Sequence, residues 1–359
     1  MNIALAYPAK VRNNTGVRNL IKGTINKTIE LDQRHSYFLL EDNYLGVNLP
    51  EEPVIKINGS RAECLRYDFQ CYYNRIKIFH SYWNTFEHMT VPCTKIFTIY
   101  DLIPLIHPEW HSMYDYFDGP VRECACRADR IIAISQSTKK DIVEHYGISE
   151  NKISVIYPGL QSELLAANER EGLVAACQLS DGYFLSVSTL EPRKNLKGLI
   201  SAFVQYKRKY PNSHHKLVIV GEMGWDSDLE NEIESLKLYR NDIKFTGFVS
   251  SDQLYTLYKY ALAVAYVSYY EGFGLPVLEG LSMGKAVISS NTSSMPEVGG
   301  AAVHYCDPYD IEDISNALEQ VALSESHREE LEKKAKAQAG KFSYTRAAQE
   351  TIQLYEEFT

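Results

Sequence analysis

Four things are missing from this sequence, and each absence removes a class of function. No run approaches the ~20 apolar residues that a membrane-crossing helix needs, and the apolar start of MNIALAYPAK is far too short for a signal peptide. A cytoplasmic protein is expected. There is no excess of positive charge: 37 Lys+Arg stand against 46 Asp+Glu, a formal net charge of −9. That argues against a broad phosphate-reading surface, and so against nucleic acid as a partner. The seven cysteines lack paired metal spacing; Cys124 and Cys126 flank one residue and have no second pair. Free thiols in a reducing compartment are expected rather than zinc. Finally, no GxGxxG follows the first strand-like run, NIALAY, which weighs against a dinucleotide-dependent oxidoreductase.

What is present is ordinary globular material in two halves. The chain has 359 residues, 45% hydrophobic and 23% charged, enough for two domains. Residues 1–165 carry 18 Lys+Arg and 19 Asp+Glu, net −1; the remainder carries 19 and 27, net −8. Tyrosine is frequent, at 26; it suits a surface that handles polar rings, and equally a core that keeps a hydroxyl wet.

The second half alternates between two textures. Short apolar or β-branched runs at 183–187, 216–220, 242–247, 261–267, 286–290 and 301–305 read as strands buried on both faces of a parallel sheet. Helical segments are expected at 195–209, 227–239, 251–261, 275–284 and 310–324, with Asn195, Ser250 and Asp307 as caps. The first half repeats the rhythm, with strand-like runs at 2–7, 36–40, 53–57, 75–80, 95–100, 130–135 and 152–157. The fold class is therefore α/β, with two doubly wound Rossmann-like units. The expected domains are 1–165 and 166–342, with a helix over about 343–359. Ligands of such sheets bind beyond the carboxyl ends of the strands, so chemistry is sought directly after each strand.

Three segments answer that search. STLEPRKN follows the strand YFLSV and places Arg193 and Lys194 at its end. A guanidinium fork beside an ammonium point charge suits a diphosphate; the alternative is a solvated loop. FTGFVS offers Gly247 for a turn and Phe248, which either approaches a base or plugs the core. EGFGLPVLEG puts Gly272, Phe273 and Gly274 between a strand and a helix that starts at Leu275 and Pro276. The free amides of that helix start suit phosphate oxygens. Glu271 before the turn and Glu279 within the helix are carboxylates that accept from vicinal hydroxyls, with surface and capping roles as the alternative. In the first half, Tyr100 and Asp101 end a strand. Asp101 either accepts in a cleft or caps the turn at Leu102–Pro104, and Ser135 and Ser137 read as helix caps. His80 and His107 are nearby histidines.

EPRKN (191–195), EGFGLPVLEGLSMGKAVI (271–288) and SSMPEVGGAAVHYCDP (293–308) resemble the signature of retaining glycosyltransferases of family 4, which have the two-domain GT-B fold. FHSYWN (79–84), TIYDLIPLIHPEW (98–110), IIAISQSTKKDI (131–142) and ISVIYPG (153–159) extend the likeness over nearly the whole chain.

The resemblance implies that Arg193 and Lys194 hold the donor diphosphate, Glu279 the ribose and Glu271 the transferred sugar. It implies amide contacts from Phe273, Gly274 and Leu275. It also implies a loop over residues 13–20, with Gly16 allowing close backbone approach. Phe342, Ser343 and Tyr344 resemble the start of the family's last helix, which crosses back to the first domain. Tyr100 stands where the family commonly has histidine, so the sugar fit is expected to differ.

The implied function is retaining transfer of a sugar, first a mannosyl group, from a UDP- or GDP-linked nucleotide sugar to a glycan or lipid-linked acceptor. The implied setting is bacterial surface polysaccharide assembly, at the inner face of the cytoplasmic membrane. No cofactor and no metal are expected, since no Asp-x-Asp pair sits at a strand end. A catalytically silent sugar-nucleotide binder and a sugar-nucleotide epimerase are the rival readings.

Overall fold

The computed structural model describes residues 1–8, 16–42, 55–57, 71–82, 92–110, 114–160, 164, 166–177, 179, 182–222, 239 and 241–358. The chain divides into two compact units. Unit 1 is Met1–Gln161 with Phe342–Thr359, and unit 2 is Ser162–Lys341.

Unit 1 is built on a parallel sheet of seven strands. These are β1 (Asn2–Pro8), β2 (Ser36–Asp42), β3 (Ile55–Ile57), β4 (Ile78–Ser81), β5 (Thr94–Ile99), β6 (Arg130–Ala133) and β7 (Ile153–Val155), in the order β3-β2-β1-β4-β5-β6-β7. Side chains alternate across it, as period-two geometry requires. Ile3, Leu5, Ile78, Ile96 and Ile132 face one side, whereas Ala4, Ala6, Phe79, Phe97 and Ile131 face the other. The second face is covered by helices α2 (Tyr114–Arg127) and α3 (Gln136–Tyr146), through Val121, Cys124, Ala125 and Ile142.

The first face is covered by α1 (Gly16–Leu31) and by the C-terminal helix α10 (Tyr344–Glu356). Tyr344 is received by two glycines. A Cβ on Gly23 would lie 2.2 Å from its ring carbon Cζ, and one on Gly159 2.2 Å from its amide. Its hydroxyl donates to the Asn19 carbonyl at 3.1 Å.

Unit 2 is a parallel sheet of six strands: β8 (Tyr183–Val187), β9 (Lys216–Val220), β10 (Ile243–Gly247), β11 (Ala263–Tyr266), β12 (Val287–Ser290) and β13 (Val303–Cys306). Their order is β10-β9-β8-β11-β12-β13. Besides a single turn at Leu173–Ala176, its described helices are α4 (Leu196–Lys209), α5 (Ser251–Tyr260), α6 (Leu275–Ser282), the short α7 (Met295–Gly299), α8 (Ile311–Leu323) and α9 (Glu325–Ala339). Phe184, Leu199, Phe203, Leu217, Ile288 and Leu318 belong to one buried cluster that joins the sheet to α4 and α8.

Two details differ from the sequence reading. The cap of α8 is Asp310, whose carboxylate accepts from the Glu312 and Asp313 amides, not Asp307. Asp307 instead accepts from the Tyr309 amide at 2.9 Å, so Pro308 lies in the loop before the helix. Helix α9 was not expected. Its buried residues are few (Leu331, Ala335, Gln338 and Ala339), and so thin a stripe gives little apolar period to read. The helix expected at 227–239 falls almost wholly outside the described residues.

Candidate active site

In both sheets the chain builds outward from one strand, then returns to that strand's other side. In unit 2 the reversal lies between β8 and β11, which pair directly, Ala263 with Phe184 and Val264 with Leu185. Segments leaving the ends of two such strands run apart and open a crevice between them. Arg193 and Lys194 come from the first segment and Glu271 from the second.

The cations are set by a compact turn. Pro192–Lys194 form one turn of 3-10 helix, and Asn195 follows in the left-handed region at φ 53. Asn195 is buried and fully used. Its Oδ1 accepts from the Gly198 amide at 3.2 Å, and its Nδ2 donates to the Val267 and Pro308 carbonyls at 3.1 and 2.7 Å. That amide therefore starts α4 and ties three strand-end loops together.

Glu271 lies between the two cations. Arg193 Nη1 donates to its Oε2 at 2.7 Å, and Lys194 Nζ donates to its Oε1 at 2.6 Å. Tyr266, the last residue of β11, donates its hydroxyl to Oε1 at 2.8 Å and accepts from Lys194 at 2.7 Å. Arg193 Nε reaches Glu191 at 3.0 Å. Two cations thus meet two carboxylates with most of the cluster out of solvent. Burial alone would raise the Glu271 pKa, but the Arg193 and Lys194 charges, with hydrogen bonds from Lys194 and Tyr266, outweigh it and hold it at about 2. Glu271 is ionised at neutral pH and serves as anchor and acceptor, not as a proton donor.

Glu279 is the opposite case. It is buried on α6 with the Tyr258 hydroxyl donating to Oε2 at 2.6 Å. Burial raises its pKa to about 7, and the Tyr258 hydrogen bond offsets only part of that. The glycine turn lies between the two carboxylates. Phe273 is buried, and Gly274 has φ +107, where a side chain would be strained. A Cβ there would also lie 2.4 Å from the Met295 methyl. Leu275 opens α6 with Pro276 in its first turn.

Other expected residues are placed apart from this cluster. Phe248 is exposed, 59%, just past β10, so it does not plug a core. In unit 1, Asp101 accepts from the Ile103 amide at 3.1 Å and so caps the turn. Ser135 caps α3 by accepting from the Thr138 amide. Tyr100 lines a cavity of ≈ 20 Å³ with His80, Tyr82 and Thr98, and residues of α10 close it. His80 is fully buried, bonded to Tyr355 at 2.6 Å and Thr98 at 2.8 Å. His107 stacks on Trp110 at 4.0 Å. The loop expected over 13–20 is helical from Gly16 on, since Gly16 begins α1, while residues 13–15 lie outside the described residues.

The sequence reading passed over Tyr266, Tyr258 and Glu191. Only Tyr266 had a usable signal, as a polar tip at the very end of an apolar strand. Among the described residues no group of three or more His, Cys, Asp or Glu could hold a metal ion.

Two doubly wound parallel units in one chain, with paired cations and a glycine turn at the switch point of the second, define the GT-B class of fold. The same fold occurs in HepE from Anabaena, solved with UDP and glucose, with a TM-score of 0.78 at 18% identity over 99% of each chain. The family model for glycosyltransferase family 4 matches residues 73–164, and that for glycosyl transferases group 1 matches residues 177–338.

The O-antigen chain mannosyltransferase B of Escherichia coli is 31% identical over 267 residues, covering 72% of this chain and 69% of that protein. The E. coli serotype-specific mannosyltransferase WbdA is 31% identical over 278 residues, covering 73% of this chain and 33% of its own length. The chain thus spans about a third of WbdA. The chain belongs to the glycosyl transferases group 1 family.

Proposed function

We propose that this protein transfers a hexosyl group, first a mannosyl group, from a UDP- or GDP-linked sugar to a glycan or lipid-linked acceptor, with retention, in bacterial surface polysaccharide assembly. The observation that carries the reading is the Arg193–Glu271–Lys194 cluster at the switch point, beside the glycine turn. The mannosyltransferase relatives support the choice of sugar.

In this reading the bond between the anomeric carbon and the β-phosphate oxygen breaks, and the acceptor oxygen bonds to the same face of that carbon. The acceptor's proton passes to the departing phosphate. Arg193, Lys194 and the amides at the start of α6 stabilise the negative charge that grows on that phosphate, which is catalysis by preorganised donors. Glu271 accepts from hydroxyls of the transferred sugar and Glu279 from the ribose. Tyr100, which replaces a histidine common in the family, alters the fit of the transferred sugar.

No metal enters this scheme, because the two cations take its role. The sequence has one Asp-x-Asp, at Asp226 and Asp228, outside the described residues. Incubation with UDP- and GDP-sugars and a lipid-linked glycan should release nucleoside diphosphate with a new α-linked product, unchanged by EDTA. Loss of activity with EDTA, restored by manganese, contradicts the metal-free scheme. Binding without turnover in the full panel favours the catalytically silent reading.

Among the described residues no helix is long and apolar enough to cross a membrane. We place the protein in the cytoplasm, meeting a lipid-linked acceptor at the membrane face.

A further inference from the structure

The segment after β12 takes no part in the chemistry above, yet four consecutive residues of it, three from the loop and the first of α7, hold the loop that carries Glu271. Thr292 Oγ1 donates to the Tyr269 carbonyl at 2.9 Å. Ser293 Oγ accepts from the Glu271 amide at 3.0 Å. The single Ser294 Oγ hydrogen is shared between the Phe273 carbonyl at 2.8 Å and the Glu271 carbonyl at 3.0 Å. Met295 fills the space beside Gly274.

Both serines adopt locally unfavourable arrangements to make these contacts. Ser293 has φ 49, a region that non-glycine residues seldom enter and that marks strain held by its surroundings. Ser294 sits at the cap position of α7, three residues before Glu297. Ser-x-x-Glu is the pattern of a capping box, but the Ser294 hydroxyl makes no cap bond. It is turned toward the Glu271 loop instead. The peptide N–H and C=O of one residue, Glu271, are thus both held by side chains of a single neighbouring loop.

We propose that Ser293 and Ser294 are positioning residues that fix the Glu271 peptide so that its carboxylate spans Arg193 and Lys194 in the orientation that meets the transferred sugar. The inference rests on the glycosyl-transfer reading above. Its physical basis is leverage. A small rotation of that peptide swings the carboxylate at the end of a three-carbon arm, and a misplacement near 1 Å at a reacting centre costs about 10²-fold in rate.

The test is Ser293→Gly. Glycine accepts φ 49 without strain and removes the CH2OH side chain, so the hydrogen bond to the Glu271 amide is lost without added backbone strain. The melting temperature should stay within about 2 °C of wild type, as strain relief offsets the lost bond. Turnover of the nucleotide sugar should fall about tenfold or more, and by a clearly larger factor than the affinity for UDP and GDP as products, because Glu271 meets the sugar directly and the diphosphate only through its two cations. Ser294→Ala, checked for folding by its melting curve, should show the same split.

A folded Ser293→Gly that turns over like wild type overturns the inference. So does a parallel loss of product affinity and turnover. If wild type transfers no sugar, the functional reading fails, and the positioning is read from Lys194 itself. Its side chain is 10% exposed in the cluster. Peptide mapping after acylation with an amine reagent should show labelling of Lys194 several-fold faster in Ser293→Gly, and equal labelling overturns the inference regardless of turnover.

Discussion

The two carboxylates that bracket the glycine turn differ at the scale of single residues, although a sequence writes both as Glu. Glu271 gains two cations and is driven to a pKa of about 2; burial raises that of Glu279 to about 7, with the Tyr258 phenol offsetting only part of the rise. Their effects on stability are opposite in sign. Glu271 stabilises the fold above its unfolded value of 4.5, and that contribution is lost as pH falls toward 2. Glu279 holds its proton longer when folded, so stability falls as pH rises from 4.5 through 7, by up to about 3 kcal/mol in total.

Glu279→Gln mimics the protonated form and keeps an oxygen for Tyr258. Denaturant melts should show the variant more stable than wild type at pH 8 and equal to it at pH 4.5. Its affinity for the donor should fall, since an amide is a weaker acceptor than a carboxylate. Lys194→Ala should lower turnover by about 10²–10³, the usual loss for one preorganised donor, measured as released nucleoside diphosphate. A loss below tenfold removes Lys194 from the proposed chemistry.

The elements place these groups by close approach. Helix α6 lies so near β11 and β12 that a Cβ on Gly280 would be 2.9 Å from Val264 Cγ2 and 3.0 Å from Val287 Cγ2. Both valines are fully buried in the sheet and cannot yield. Gly280→Ala should therefore cost about 1–3 kcal/mol by overpacking. It should also shift α6, and with it Glu279 and the amides of the glycine turn. The check is a lower melting temperature together with weaker binding of UDP or GDP; a variant as stable as wild type shows that α6 has room to move.

The glycines of EGFGLPVLEG were legible as a turn and a helix start from Pro276 and the preceding apolar strand. The tightness at Gly280 was not, because the residues it meets are 16 positions before it and 7 after it in sequence and meet it only across the sheet. Helix α9 is hard to read for a related reason: its composition favours a helix, but its few buried positions give little apolar period, and its place against the core is set by residues distant in sequence.

On the scale of the whole chain, the polypeptide leaves unit 1 at Gln161 and returns to it at Phe342. Its last helix completes the core of the first unit, with Ala347, Leu354 and Tyr355 buried beside Ile3, Leu5 and Ile78. His80 is bonded to that helix through Tyr355 and is fully buried. Burial lowers its pKa to about 3, from an ordinary 6.5. The folded state therefore refuses a proton that the unfolded chain accepts. The stability that neutral His80 gives is complete above pH 6.5 and is lost as pH falls, by up to about 1.4 kcal/mol per pH unit until pH 3. Chemical denaturation between pH 7 and pH 4 should show this slope, and His80→Gln should flatten it. An equal slope in the variant assigns the acid sensitivity to other groups.

By itself the sequence determined the α/β class, nearly all the strands, and the segments that carry Arg193, Lys194, Glu271 and Glu279. Those features are local: apolar runs of strand length, and glycine, proline and charge directly after them. Only the tertiary structure decided how the four side chains are used. Strand order puts the ends of β8 and β11 side by side, so residues 77 positions apart, Lys194 and Glu271, share a hydrogen bond. Burial and neighbours then separate two chemically identical carboxylates by about five pKa units. A loop from a third strand holds the Glu271 peptide in place through Ser293 and Ser294, whose pattern in sequence reads as the start of a capped helix and not as a clamp on another loop. Pairing across the sheet and removal of water are properties of the assembled fold, and no window along the chain contains them.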